Sequence, residues 1–147
     1  MKIAIGSDHA GFYLKQDLIK YLEEKNIEVK DMGPFDDNRV DYPDYGHAVG
    51  HEVIDNKMDF GIVICGSGIG ISISANKVKG IRAACVSETF SARMSRAHNN
   101  ANVLCLGARV IGTEVCKMIV EEFAKTQFEG GRHQRRVDKI CKIEEEN

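Results

Sequence analysis

Apolar positions along the chain follow two alternating periods. Ile3-Ala4-Ile5 is a short apolar run, after which Leu14, Leu18 and Leu22 recur at the four-residue spacing of one helix face. This predicts a strand followed by an amphipathic helix. Ile27 to Met32 is a more polar strand suited to a sheet edge, and Tyr45, Ala48, Val49 and Val53 mark a second helix. Between them, Gly33 to Pro43 is a loop rich in Gly, Asp and Pro, whose length points to function rather than a tight turn. Phe60-Gly61-Ile62-Val63-Ile64-Cys65 carries its apolar residues continuously, the pattern of a strand covered on both faces. A glycine loop then leads into a helix from about Gly70 to Lys77.

The same alternation continues to the end. Ile81 to Val86 reads as a fourth strand, with Ser87 as N-cap of a helix carrying Phe90, Met94 and Ala97. Val103-Leu104-Cys105-Leu106 is a fifth strand, and Thr113 is placed to cap a helix that buries Val115, Ile119 and Phe123. Gly130-Gly131 breaks the chain before a last helix with Val137, Ile140 and Cys141. Repeated strand–helix alternation predicts a five-stranded parallel sheet with helices on both faces, a Rossmann-like three-layer α/β/α sandwich. No repeat or linker divides residues 1–147, so one domain is expected. Ligands of such sheets bind beyond the carboxyl ends of the strands. That draws attention to Ser7-Asp8-His9, Cys65 to Gly70, Ser87-Glu88 and Gly107-Ala108-Arg109.

Composition narrows the function classes. At 147 residues with 43% hydrophobic side chains, one core suffices without disulfide staples. Twenty basic against 22 acidic groups argue against a general nucleic-acid or membrane-surface binder. No apolar run approaches the roughly 18 residues of a spanning helix, and Met1 to Gly6 is too short for a signal peptide, so a soluble protein is expected. The five cysteines, Cys65, Cys85, Cys105, Cys116 and Cys141, form no CxxC pair, which fits free thiols in a reducing cytoplasm. All except Cys65 sit in apolar runs and read as small core residues.

Cys65-Gly66-Ser67-Gly68-Ile69-Gly70 joins the central strand to a helix. Its glycines permit positive φ and expose N–H groups, which with the helix N-terminus favour negative charge by about 0.3–2 kcal/mol. The anion could be a phosphate, an oxyanion formed during reaction, or the Cys65 thiolate, which such surroundings favour. A Walker loop would need Lys-Ser/Thr where Ile71-Ser72 stands, and a cysteine phosphatase an arginine where Ile71 stands. A GxGxxG dinucleotide fingerprint fails at its third glycine, yet Glu88 occupies the place of a ribose-binding acid, so that alternative stays open. So does the plainer reading of Cys65 as the end of a buried strand.

Among five histidines, His47 and His51 share a helix face without a third metal ligand and read as solvated. His9 follows the first strand and is expected to face the same crevice as Cys65. His98 ends a helix in Arg96-Ala97-His98-Asn99-Asn100, where it could serve as a C-terminal cap. Arg132 and Arg136, four residues apart, lie on one helix face and could converge on a phosphate, a point site rather than a nucleic-acid stripe.

Gly6-Ser7-Asp8-His9-Ala10-Gly11, Asp41-Tyr42-Pro43, Cys65 to Ser72, Ala75-Asn76-Lys77, His98-Asn99 and Gly130-Gly131-Arg132-His133, in that order, resemble the type B ribose-5-phosphate isomerase family. That family also holds galactose-6-phosphate and allose-6-phosphate isomerases. The resemblance spans the chain. It implies an aldose–ketose isomerase without metal or cofactor that interconverts ribose 5-phosphate and ribulose 5-phosphate through an enediolate. By it, Cys65 is the base, Ser67 a proton relay, and the N–H groups of Ser67, Gly68, Ile69 and Gly70, next to Gly66, an oxyanion hole. His98 is the acid that opens the sugar ring, and Asp8, Tyr42 and Asn99 orient hydroxyls. His9, Arg109, Arg132 and Arg136 clamp phosphate and sugar. Family members are dimers or tetramers with sites shared between chains. Ser67 stands where threonine is common, and Ile71 where some relatives carry a glutamate base, which favours a thiolate here. Five- and six-carbon substrates are not separated, and a phosphosugar- or nucleotide-binding module without chemistry is the rival that would not need Cys65.

Overall fold

The computed structural model describes all residues, Met1–Asn147. In chain order the elements are β1 (Lys2–Ser7), α1 (Phe12–Glu24), β2 (Glu28–Asp31), α2 (Tyr42–Asp55), β3 (Phe60–Cys65), α3 (Ile69–Ala75), β4 (Ala83–Cys85), α4 (Thr89–Asn99), β5 (Val103–Gly107), α5 (Thr113–Lys125) and α6 (Arg132–Glu146). All strand pairs are parallel and the sheet order is β2-β1-β3-β5-β4. One face carries α1, α4 and α5 through Leu14, Leu18, Leu22, Ala92, Ile119 and Phe123. The other carries α2 and α3 through Val49, Val53, Ile71 and Ala75. The expected α/β/α layering is therefore the observed one. β3 lies at its centre: Ile62, Val63 and Ile64 are each 0% exposed. Burying an aliphatic side chain of this size contributes about 1.5–3 kcal/mol. No helix is long and apolar enough to cross a membrane.

Several local expectations are corrected. The fourth strand shrinks to three residues because side-chain amides take its backbone groups. Asn102 Oδ1 accepts Arg82 N–H at 2.8 Å, and Asn76 pairs with both Ala83 N–H (2.8 Å) and Ala83 C=O (3.0 Å). Asn76 thus occupies part of the open sheet edge as a neighbouring strand would, which blunts the edge against intermolecular pairing. Glu88, not Ser87, caps α4: its carboxylate oxygens accept Ser91 N–H at 3.0 Å, a charge that also suits the helix N-terminus. Gly112, not Thr113, precedes α5 and makes no side-chain cap.

Facing is corrected in three helices. α4 buries Ala92, Ser95 and Ala97 and leaves Phe90 70% exposed. On α5 the buried position is Cys116, while Val115 is exposed, and on α6 Ile140 is exposed beside a half-buried Cys141. Cys85 is exposed rather than in the core, because β4 is the sheet edge.

Lys15 is fully buried, although on α1 it occupies a core-facing position in an otherwise apolar stripe. Its Nζ donates to Asp31 Oδ1 at 2.6 Å and to the Pro34 carbonyl at 2.7 Å, between the rings of Phe12 and Phe35. Asp31 Oδ1 also accepts Gly33 N–H at 2.8 Å. This node fastens the start of the 33–41 loop to α1 and β2. Lys15→Met removes the charge that compensates Asp31, whose side chain is itself mostly covered. A loss of about 2–4 kcal/mol in urea-unfolding stability is expected; a loss under about 0.5 kcal/mol would contradict the node's role.

Candidate active site

The sheet order reverses between β1 and β3: from β1 the chain moves outward to β2, and from β3 to the other side. Helices diverge at such a point and leave a crevice beyond the strand ends. The residues following β1 and β3 therefore meet there. Asp8 N–H donates to the Ile64 carbonyl at 3.0 Å, which extends the β1–β3 pairing by one step and sets Asp8 beside Cys65. Asp8 is buried, and its Oδ1 accepts Gly11 N–H at 3.1 Å at the start of α1. Gly11 is required for this approach, since a Cβ would lie 2.7 Å from the Ile64 side chain.

Cys65 is 4% exposed, and its Sγ accepts Gly68 N–H at 3.1 Å. An amide dipole aimed at sulfur stabilises negative charge on it. Gly68 adopts φ +80, a left-handed conformation that costs glycine nothing, and a Cβ there would sit 2.8 Å from the Leu106 carbonyl carbon. The same turn directs the loop into α3. Ser67 Oγ accepts Ile69 N–H at 3.2 Å, with the Ile69 side chain exposed. The Arg109 backbone N–H donates to the Gly66 carbonyl at 3.0 Å, and a Cβ on Gly66 would lie 3.3 Å from the Arg109 guanidinium. The Tyr42 ring, at the start of α2, packs against Gly70, where a Cβ would approach its Cζ to 2.7 Å.

Asp8, Tyr42, Cys65, Gly66, Ser67, Gly70, Arg109 and Val110 together line a cleft of about 410 Å³. Val110 was not legible as a site residue, although it directly follows the flagged Gly107-Ala108-Arg109 turn. His9 does not line the cleft. Its Nδ1 accepts Val40 N–H at 3.3 Å and so ties the 33–41 loop beside the site. Glu88 is committed to the α4 N-terminus, whose Ser91 holds its carboxyl below the usual range, which removes the ribose-binding acid of the dinucleotide alternative. His47 and His51 pack edge to face on the solvent side of α2, as expected.

The remaining candidates are not in this cleft. His98 and Asn99 end α4, and Arg132 and Arg136 project from the first turns of α6 into solvent. A larger cleft of about 1010 Å³ runs between the β4 edge and α6 and includes Asn99, but no residue of the glycine loop. The His98 ring stacks on His133, centroids 4.0 Å apart and planes at 8°. His133 is buried, and burial, reinforced by the charges of His98 and Arg132, lowers its pKa.

An open parallel α/β sheet with a thiol, a carboxylate and an arginine gathered at its switch point defines an enzyme of small polar metabolites. Residues 3–140 match the family model described as Ribose/Galactose Isomerase. The chain is 51% identical over 144 residues to "Ribose-5-phosphate isomerase B" of Escherichia coli (strain K12), covering 98% of this chain and 97% of the relative. The structure of Clostridium thermocellum ribose-5-phosphate isomerase B matches with a TM-score of 0.98 at 51% identity over 99% of both chains. That of the Mycoplasma genitalium protein with bound ribulose-5-phosphate matches at 0.93 and 47%, covering 99% and 97%. The chain belongs to the ribose/galactose isomerase family.

Because the pKa of His133 is lower in the folded chain than in the unfolded one, the unfolded chain takes up its proton first as pH falls through 6.5, and stability declines. Urea unfolding at about pH 7.5 and 5.5 should show that decline, and His133→Gln should reduce the difference between the two. An unchanged pH difference in the variant would refute the assignment.

Proposed function

We propose that the chain, acting as one domain in the cytoplasm, interconverts ribose 5-phosphate and ribulose 5-phosphate with Cys65 as the base. The observation that carries this reading is the Cys65 sulfur at the switch point, 3.1 Å from the Gly68 amide and within a cleft shared with Asp8, Tyr42 and Arg109. A thiolate there takes the proton from C2 of the open-chain aldose. The electron pair moves toward the C1 carbonyl, and the enediolate charge is met by the N–H groups of Ser67 and Gly70, since those of Gly68 and Ile69 donate to Cys65 Sγ and Ser67 Oγ. The Ser67 hydroxyl moves a proton between O2 and O1, and the thiol returns its own to C1. No atom is gained or lost. Fixed donors of this kind are worth roughly 2.7–4 kcal/mol each in other enzymes. The phosphate supplies binding energy away from the reacting carbons, which fixes the sugar for proton transfer.

The ring-opening acid, His98, and the groups expected to hold hydroxyl and phosphate, Asn99, Arg132 and Arg136, lie outside the chain's own cleft. Both halves of the chemistry come together if a second copy presents its α4–α6 corner to the cleft, so the working unit is a homodimer or a tetramer built from such dimers. The five free thiols suit a reducing compartment. Allose or galactose 6-phosphate remains the alternative substrate class, and a phosphosugar-binding module the alternative without chemistry.

Cys65→Ala should lower kcat for ribose 5-phosphate roughly 10²- to 10⁴-fold while the variant still binds substrate by calorimetry. Retained turnover would overturn the thiolate base. Hybrid assembly tests the shared site. Cys65→Ala and His98→Asn chains, each inactive alone, should regain about half the wild-type rate per hybrid dimer when refolded together, since one of two sites is then intact. No recovery in a purified hybrid would assign each site to a single chain.

A further inference from the structure

Of the three metal-ligating side chains that meet at the α4–α6 corner, the proposed isomerisation uses His98 and gives Glu129 and His133 no part. Glu129 N–H donates to the Ala97 carbonyl at 3.0 Å, which pins this residue to the last turn of α4. Gly130 and Gly131 then turn the chain through left-handed φ values of 67 and 56, so that α6 starts back over the same corner. His133 arrives against Glu129 and His98. Ligand atoms of His98, Glu129 and His133 all lie within 4.8 Å of one another. His133 Nε2 is 3.4 Å from Glu129 Oε2, and His98 Nε2 is 3.9 Å from the same oxygen.

His133 Nε2 is the second, independent sign. It is cut off from solvent on a residue 4% exposed, and it has no hydrogen-bond partner. Buried polar atoms nearly always find a partner, and this imidazole nitrogen lies 3.4 Å from a carboxylate oxygen without a hydrogen bond to it.

We propose that His98, Glu129 and His133 form a site for a divalent transition-metal ion of the Zn²⁺ class, and that its occupation inhibits the enzyme by taking the nitrogen His98 uses for ring opening. Two imidazoles and one carboxylate are the donors that Zn²⁺ accepts in three-ligand sites with a fourth position left to water, whereas Mg²⁺ and Ca²⁺ require oxygen. Bonds of about 2.0–2.2 Å in a tetrahedron put ligand atoms about 3.3–3.5 Å apart. The His133–Glu129 separation of 3.4 Å already meets that spacing. His98 must move, because parallel stacked rings direct their lone pairs side by side rather than to one point. At a helix end, and with 35% of its side chain exposed, it is the ring free to turn. Arg132 and Arg136 oppose a dication and Glu129 offsets them. The inhibitory half rests on His98 acting in ring opening; the binding half does not.

Calorimetry with ZnCl₂ and visible absorption with CoCl₂, both on the Cys65→Ala chain, keep the cleft thiol from contributing. One ion per chain is expected, with a tetrahedral Co²⁺ band and no sulfur charge-transfer band. His133→Ala or Glu129→Gln should weaken binding at least about tenfold. Glu129 is exposed, so its variant serves if the His133 variant fails to fold. A sulfur charge-transfer band, or binding indifferent to both substitutions, overturns the site. With the wild-type chain, Zn²⁺ should slow turnover of ribose 5-phosphate, and Glu129→Gln should shift the inhibiting concentration upward by the same factor as its binding constant. Binding at the three residues without slower turnover upholds the site and overturns the inhibitory half, along with His98 as ring-opening acid.

Discussion

Six consecutive residues, Phe60 to Cys65, lie out of water at the centre of the sheet, with their backbone groups paired to β1 on one side and β5 on the other. Everything chemical in the chain depends on how that strand ends. A strand covered on both faces cannot simply run on into solvent; its last residue must hand over to a turn that keeps the backbone satisfied. Here the turn is the glycine loop, and the last residue is a cysteine. The Gly68 amide closes onto the sulfur instead of onto a carbonyl, and the left-handed conformation that makes this possible is one only glycine adopts without strain. Because β1 ends alongside β3, Asp8 is drawn to the same place by one further backbone hydrogen bond.

Around this fixed centre the other groups are held by contacts of different stiffness. Tyr42 and Arg109 rest on glycines of the loop, so their approach is set by the absence of side chains at Gly70 and Gly66. The 33–41 loop is fastened near its start by buried Lys15 and near its end by His9. The imidazoles and arginines of the α4–α6 corner belong to a separate body of contacts, centred on the stacked His98–His133 pair and Glu129. On the proposed reading, symmetry brings one copy's corner to the other copy's cleft, and catalysis then depends on assembly. A chain with net charge −2 still presents a locally cationic surface where three of its eight arginines, Arg132, Arg135 and Arg136, lie within five residues at the start of α6.

Much of this was legible in the residues. The alternation of runs such as Ile3 to Ile5 with the Leu14, Leu18, Leu22 stripe identified the layered architecture, since those periods correspond to different backbone geometries. Cys65 and its loop stood out because glycine at alternate positions after a buried strand has few other uses. Facing on the shorter helices was less legible. Phe90 and Val115 are apolar at helical spacing, yet both are exposed, and Lys15 and His133, polar by type, are buried. Periodicity identifies a stripe, but a helix packed along one side of a sheet can rotate by one residue, and burial then passes from Val115 to Cys116. Polar residues go inside where a partner awaits them, and those partners, Asp31 and Pro34 for Lys15, come from distant parts of the chain.

Local chemistry could be read one residue at a time: where the chain must turn left-handed, which thiol follows the buried strand, which arginines share a helix face. These follow from covalent geometry and from spacings of a few residues. Strand order could not be read that way. Placing β5 between β3 and β4, reversing direction between β1 and β3, and setting His98 against His133 rather than Cys65 depend on contacts between segments far apart in sequence. Such contacts form wherever the shared burial of whole layers is greatest, a quantity that no single segment carries.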